Sequence, residues 1–491
     1  MTTIIDALND ANLFAPWFRD RSTWQAWVAF LAALFALPMT PDQRAIYHEC
    51  TQREQPPEQP SNESWLICGR RAGKSFVLAL VAVFLACFRD YRDCLAPGER
   101  GTLLILAADR KQARVIMRYV SGLLKGIPML ALMIERETAE AFDLTNRITI
   151  EVGTASYRTT RGYAFVAVLA DELAFWRSDD SASPDYEVLA AVRPGMSTIP
   201  GALLLCASSP YARRGALWDA FQRWFGKADA KVLVWRAPTL RMNPTVPQAV
   251  VDEAFSQDPS SAAAEYGAEF RTDVEGFVSL EAVRACVRAG ERERREQHKF
   301  RYVGFVDPSG GSADAMTLGI AHKEGNTAVL DLLREVRPPF SPEGVAEEFA
   351  DTLKRYRITK VYGDRYAGEW PREQFRKHGI NYDTSERTKS ELYVDLLPLI
   401  NSRAVDLLDH DRLVVQLVGL ERRTGRSGKD SIDHAPGGHD DIANVAAGAL
   451  CRAWELRGER GWHMGSDTPP EVQRGYAHLK QQHQERKRVH K

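Results

Sequence analysis

A charge imbalance is missing from this 491-residue chain: 64 lysines and arginines stand against 65 aspartates and glutamates, a formal net charge of -1. A global field drawing it to nucleic acid or to an anionic membrane is excluded, so any such attraction must come from local patches. Cysteine is sparse. The seven present (Cys50, Cys68, Cys87, Cys94, Cys206, Cys286, Cys451) are odd in number, scattered, and without C-x-x-C spacing or nearby histidine pairs. That excludes a disulfide scaffold and reads as buried or free thiols in a reducing compartment. The most apolar N-terminal run, Trp27 to Pro38, is too short to span a bilayer. It follows Arg19, Asp20 and Arg21 and has no A-x-A-like end, so neither a spanning helix nor a signal peptide is expected, and the chain reads as cytosolic. No internal repeat is visible. What the chain does have, at 44% hydrophobic and 26% charged residues, is apolar content for at least two separate cores, which excludes a disordered or collagen-like protein.

Residues 1–60 read as a helical lead-in that ends in the polar, proline-rich Gln55 to Ser61. Over 61–270 short apolar runs alternate with helical patterns: Trp65 to Cys68, Thr102 to Ala107, Ile148 to Val152, Phe165 to Ala170, Ala202 to Ala207 and Lys231 to Trp235. Such alternation predicts a mostly parallel sheet covered by helices. The segment 271–299 reads as a linker, with the charge-dense Gly290 to Lys299 as the candidate boundary. Within 300–456 three strands separated by tight turns are predicted (Tyr302 to Asp307, Met316 to Ala321, Thr327 to Leu333). A helix with Val345, Phe349 and Leu353 on one face and a strand at Lys360 to Asp364 follow, the opening of an RNase H-like order. Residues 457–491 are polar and basic and read as a flexible tail.

Two constellations carry chemistry. In the first, Gly69-Arg70-Arg71-Ala72-Gly73-Lys74-Ser75 lies between an apolar strand and an apolar helix. Such a loop aims backbone N–H groups and a helix N-terminus at phosphates, with the Lys74 ammonium on the terminal phosphates and the Ser75 hydroxyl on Mg²⁺. Cys68 stands where the first glycine of G-x-x-x-x-G-K-[ST] would be. Phe165 to Ala170 ends in Asp171-Glu172, two carboxylates at a strand end where open α/β sheets bind ligands. Asp171 is expected in the Mg²⁺ shell and Glu172 on the attacking water. Ser208-Ser209-Pro210 ends another strand, where small hydroxyls can sense the γ-phosphate; alone, the tripeptide is only a turn. Arg70, Arg71, Arg158 and Arg161 are candidates to neutralise transition-state charge, and Gln43 is a candidate to read an adenine edge.

In the second constellation Asp307 and Asp364 end strands that are neighbours in the RNase H-like order, so acids distant in sequence converge. Carboxylates brought together without a cation repel one another, and a divalent metal removes that cost. His439-Asp440-Asp441 opens an apolar helical run and brings one or both aspartates to the same point, although an N-cap would also explain Asp440. Oxygen ligands of this kind suit Mg²⁺ or Mn²⁺ and phosphodiester cleavage. Asp314, His434, His439 and Lys389 are weaker candidates around this site.

Gly69 to Ser75, Phe165 to Glu172, Ser208 to Pro210, Asp307, Asp364 and His439 to Asp441 together resemble the large terminase subunit of tailed bacteriophages and prophages. The resemblance implies an α/β protein, a P-loop ATPase domain with a mostly parallel sheet followed by an RNase H-like α/β nuclease domain. It implies ATP-driven translocation of double-stranded DNA into a procapsid and metal-dependent cutting of the concatemer, with ATP and Mg²⁺ (or Mn²⁺ at the nuclease site). Lys74, Ser75, Asp171 and Glu172 would carry hydrolysis, Ser208 to Pro210 its coupling to motion, and Arg161 a finger reaching a neighbouring subunit, with Arg70 or Arg71 next. Implied partners are the portal protein, a small terminase subunit and further copies in a pentameric ring, with the lone chain a monomer. The implied location is the bacterial cytoplasm at the portal, with no membrane. Asn444 stands where such segments often carry a third acid. A helicase-nuclease or defence-type ATPase working without a capsid, and an inactive prophage protein that binds DNA or portal, are the competing readings.

Overall fold

The apolar runs of the first half become strands buried on both faces, as strands between two helical layers must be. In the computed structural model, which describes residues 2–155, 162–176, 178, 181–310, 314–364, 369–424, 430–436 and 438–456, they are β1 (Glu63–Cys68), β2 (Gly101–Ala107), β3 (Ile134–Glu137), β4 (Ala141–Leu144), β5 (Ile148–Thr154), β6 (Ala164–Asp171), β7 (Leu203–Ser208) and β8 (Leu233–Ala237). The sheet order is β3-β4-β5-β2-β6-β7-β1-β8. Pairing is parallel from β5 to β8 and antiparallel among β3, β4 and β5. The edge hairpin β3–β4 escaped the sequence reading because its strands are four residues long and β3 is mostly exposed, leaving little apolar pattern to see.

Chain contacts divide into two compact units between Glu275 and Gly276. In the first unit the helices of residues 1–60 add to the same core as the sheet: Trp27, Phe30 and Tyr47 are buried there, and the Phe30 ring meets Trp235 edge-on at 5.5 Å. The helix Lys74–Phe88 is apolar almost all round and correspondingly buried within that core.

The short strands β9 (Val274–Gly276) and β10 (Val287–Arg288) precede β11 (Tyr302–Asp307), β12 (Met316–Glu324), β13 (Thr327–Val336), β14 (Lys360–Gly363), β15 (Asn381–Thr384) and β16 (Val405–Leu408). In the second unit the sheet runs β10-β16-β13-β12-β11-β14-β15. β11, β12 and β13 form an antiparallel meander, and β14 and β15 add in parallel beside β11, which is the RNase H-like order. The charge-dense stretch is not helical. It bonds to this sheet through Arg294 N–H, which donates to Asp331 O at 2.8 Å, and Gln297 N–H, which donates to the Tyr302 hydroxyl at 2.8 Å. A hairpin of β17 (Leu420–Thr424) and β18 (Asp430–His434) comes before the long helix Asp441–Glu455.

That helix lies low on the meander. A Cβ at Gly448 would come within 2.3 Å of the Phe305 ring, so only glycine permits the approach, and the approach brings Asn444 one turn earlier down to the end of β11. Among the described residues no helix is long and apolar enough to cross a membrane.

Candidate active sites

The loop that follows β1 is held by the fold before any ligand is considered. Cys68, at the position of a first loop glycine, is instead the last buried residue of β1 and belongs to the core. Gly69 is needed for close packing: a Cβ there would lie 2.2 Å from the Thr239 hydroxyl oxygen. Gly73 has φ +101, a left-handed turn that lets the helix Lys74–Phe88 start, and Trp27 Nε1 donates to Ala72 O at 2.9 Å from below. Lys74 is almost fully buried. Its ammonium donates to Cys68 O (3.2 Å), Gly69 O (3.1 Å) and Ser209 Oγ (2.9 Å) and pairs with Glu172 Oε1 at 3.1 Å.

Asp171 ends β6 fully buried, with Oδ2 accepting from Ser75 Oγ at 2.8 Å and from Gln112 Nε2 at 2.9 Å. Its Oδ1 is buried without a hydrogen-bond partner among the described residues. Burial, and then the neighbouring Glu172 charge, push the Asp171 carboxyl up to about 7. A buried carboxylate with one bare oxygen beside a serine hydroxyl is a donor set that fits Mg²⁺. Glu172 sits in the left-handed region at φ +51. Its Oε2 accepts from Ser209 N–H at 3.0 Å and lies 3.2 Å from the Ser208 hydroxyl. Lys74, Glu172, Ser208 and Ser209 therefore form one bonded group and Ser75, Asp171 and Gln112 a second, set next to each other by the neighbours Lys74-Ser75 and Asp171-Glu172 at the start of the helix Lys74–Phe88 and the end of β6.

The remaining first-unit candidates stand outside these two groups. Arg70 is exposed and pairs with Glu265 at 3.1 Å, Arg71 is exposed, and Pro210 is buried beside Ser209. Gln43 has a local role as well: its side-chain oxygen accepts from Thr40 N–H at 2.9 Å in a capping box. Arg158 and Arg161 lie outside the described residues. Gln112 was missed. Its signal was faint, a glutamine three residues after Asp109, which caps its helix.

In the second unit Val306 pairs with Gly363, so Asp307 and Asp364 leave adjacent parallel strands side by side. The Asn444 amide nitrogen donates to Asp307 Oδ2 at 2.9 Å and to Asp364 Oδ2 at 2.7 Å, while Asn444 Oδ1 is buried without a hydrogen-bond partner among the described residues. Burial, followed by the Asp364 charge, pushes the Asp307 carboxyl up to about 8; burial also raises Asp364, and burial with Asp440 raises Asp441. Asp307 and Asp364, two acids whose charge is disfavoured and which face an amide donor in the place of a cation, fit a hard divalent metal.

Asp440 does not cap its helix through its side chain. The first amides, Ile442 N–H and Ala443 N–H, are taken by Gln416 Oε1 at 2.9 and 3.0 Å. Instead Asp440 Oδ2 accepts from Tyr393 at 2.8 Å and pairs with Lys389 at 2.9 Å. Asp314 is exposed on the β11–β12 turn, His439 is exposed, and His434 is half-buried near Asp433. The roles of Gln416 and Tyr393 were invisible in sequence, since each depends on a helix crossing set by tertiary packing.

An RNase H-like α/β unit follows an α/β unit with a phosphate loop, and solved structures of phage large terminases are similar to this chain. The large terminase of bacteriophage HK97 is 15% identical, with 85% of this chain and 95% of that chain covered and a TM-score of 0.36. The large terminase of thermophilic bacteriophage D6E in complex with ADP is 10% identical over 79% and 93%, with a TM-score of 0.34. The large terminase nuclease of thermophilic phage G20c with bound magnesium is 16% identical over 35% and 95%, with a TM-score of 0.31. No family model and no curated protein matches the chain.

Proposed function

We propose that the chain is a large terminase subunit, an ATP-driven motor that moves double-stranded DNA into a procapsid and cuts the concatemer with a metal-dependent endonuclease. The observation that carries this is the convergence of Asp307 and Asp364 on one amide nitrogen, in a chain that also brings Lys74 and Glu172 into an ion pair.

In the motor site, incoming triphosphate competes with Glu172 for the Lys74 ammonium. Lys74 would then turn to the β- and γ-phosphates and Glu172 be released to orient the attacking water, while Ser75 and Asp171 are the residues that would hold Mg²⁺, which supplies positive charge to the phosphate oxygens. Because Ser208 and Ser209 grip the same Glu172 carboxylate, the loss or gain of that grip is a mechanical signal to the end of β7. Arg161 is our assignment for the finger acting on a neighbouring subunit in a pentameric ring at the portal, where a small terminase subunit selects the DNA.

In the nuclease site Asp307, Asp364 and Asp441 would hold Mg²⁺ or Mn²⁺. Bound metal supplies positive charge to the oxygens of an in-line phosphodiester cleavage. The chain's own part is to keep these carboxylates half-buried and aligned through the parallel pairing of β11 with β14 and the low seat of the helix Asp441–Glu455.

The test is separation of function on the full chain. Asp307→Asn should lose Mn²⁺-dependent nicking of supercoiled plasmid and keep ATP hydrolysis, while Lys74→Ala should do the reverse. Nicking that survives EDTA, or that survives Asp307→Asn, contradicts the assignment.

A further inference from the structure

Three successive carbonyl oxygens of the loop after β1 are gripped by three side chains from distant parts of the first unit. Thr239 Oγ1 donates to Arg70 O at 2.8 Å, Asn243 Nδ2 to Arg71 O at 2.8 Å, and Trp27 Nε1 to Ala72 O at 2.9 Å. Trp27 belongs to the helix Gln25–Leu34, Thr239 opens the short helix Thr239–Met242, and Asn243 ends it. Each donor is itself held. Thr239 and Trp27 are buried, and Thr239 N–H donates to Tyr266 O at 2.8 Å. Asn243 N–H donates to Thr239 O at 2.7 Å, and its side-chain oxygen accepts from Thr245 N–H at 3.2 Å and from Thr245 Oγ1 at 2.6 Å, which leaves its amide nitrogen for the loop. The loop peptides are trans, so a carbonyl fixed on one side sends the following N–H to the other. The N–H groups of Arg71, Ala72 and Gly73 therefore point away from the three donors.

We infer that Trp27, Thr239 and Asn243 are positioning residues for the nucleotide, an outer clamp that turns the loop N–H groups toward the phosphates before ATP arrives. The inference rests on the motor reading above and gives the N-terminal helices a part in it. Backbone geometry supports it. Arg71 has φ +64 and Gly73 φ +101, left-handed residues on either side of Ala72, and alternation of this kind gathers successive N–H groups into a concave anion nest. Glycine takes such a φ freely, whereas arginine keeps it only where its surroundings impose it. Asn243, on the Arg71 carbonyl, imposes it here. A peptide released from its donor can rotate, and a rotated peptide presents a carbonyl oxygen to the phosphate in place of an N–H. The clamp touches only loop carbonyls, so its effect reaches the phosphates through the direction of these N–H groups.

The test is titration of a fluorescent ATP analogue, with Mg²⁺, against the full-length chain. Asn243→Ala should weaken binding by roughly two- to tenfold, the size expected for one lost hydrogen bond. Asn243→Asp, equal in shape but unable to donate, should lose at least as much. In an Arg71→Gly background Asn243→Ala should cost little, because glycine takes the left-handed turn unaided. That relief separates a hold on the Arg71 backbone from a merely structural role, which would cost the same in both backgrounds. Trp27→Phe, which keeps a ring and loses the donor, should weaken binding by a similar factor, and it decides the matter if Asn243→Ala does not fold. Wild-type affinity in either variant would overturn the inference, and so would an equal loss on Asn243→Ala with and without Arg71→Gly. A Lys74→Ala variant that binds the analogue as wild type does would instead remove the motor reading itself.

Discussion

The ammonium of Lys74 lies 3.1 Å from the carboxylate of Glu172. The cation that would meet phosphate and the base that would meet water thus neutralise each other, and nucleotide binding has to break their pair. The two residues should therefore fail differently. Lys74→Ala should weaken ATP binding by roughly tenfold or more and abolish turnover. Glu172→Gln frees the lysine, so it should bind ATP at least as tightly as wild type while losing about 100-fold or more of its turnover. Fluorescent-nucleotide titration and phosphate release on the two variants separate these outcomes.

Gln112 should prove a positioning residue for Asp171, since its amide holds the same oxygen that Ser75 holds. Gln112→Ala should raise the Mg²⁺ concentration needed for half-maximal ATP hydrolysis by about tenfold or more, in the range of lost outer contacts around a metal ligand. An unchanged Mg²⁺ dependence would remove Gln112 from the site.

Stability should respond to pH with a definite sign. The folded carboxyls of Asp171 and Asp307 are raised, to about 7 and about 8, above an ordinary aspartate value. The folded state therefore binds more protons than the unfolded one between about pH 4 and pH 8, and stability falls as pH rises through that window. Metal-free protein should melt lower at pH 8.5 than at pH 5.5 on account of these groups. Mg²⁺ should restore the stability lost at pH 8.5, and Asp307→Asn should be stabilised at pH 8.5 by on the order of 1 kcal/mol. Calorimetry with and without EDTA reads all three.

The central strands of both sheets were legible because burial demands apolar runs, and Asp171, Asp307 and Asp364 were legible as residues that end or directly follow such runs. Less could be read where tertiary packing decides. Asn444 read as the loss of an acid, yet its amide is the group that joins Asp307 and Asp364; that depends on Gly448 letting the helix drop onto Phe305, which no local pattern announces. The Asp440 side chain fits an N-cap by sequence, but Gln416 on another helix takes the cap amides first.

Asn444 gives a further prediction. Asn444→Asp places a third charge against Asp307 and Asp364, so it should destabilise the metal-free chain above pH 7 and tighten Mn²⁺ binding by about tenfold. Isothermal titration with Mn²⁺ measures the second effect, and equal affinity in the two proteins would show that Asn444 does not face the metal.

The most direct measurement is anomalous diffraction from crystals of the full chain soaked in Mn²⁺. A manganese peak between Asp307 and Asp364, within roughly 2.0–2.4 Å of an oxygen of each, is the expected result, with the Asn444 amide nitrogen displaced from both. Crystals that take up manganese elsewhere and leave these two carboxylates on the Asn444 amide would contradict the account.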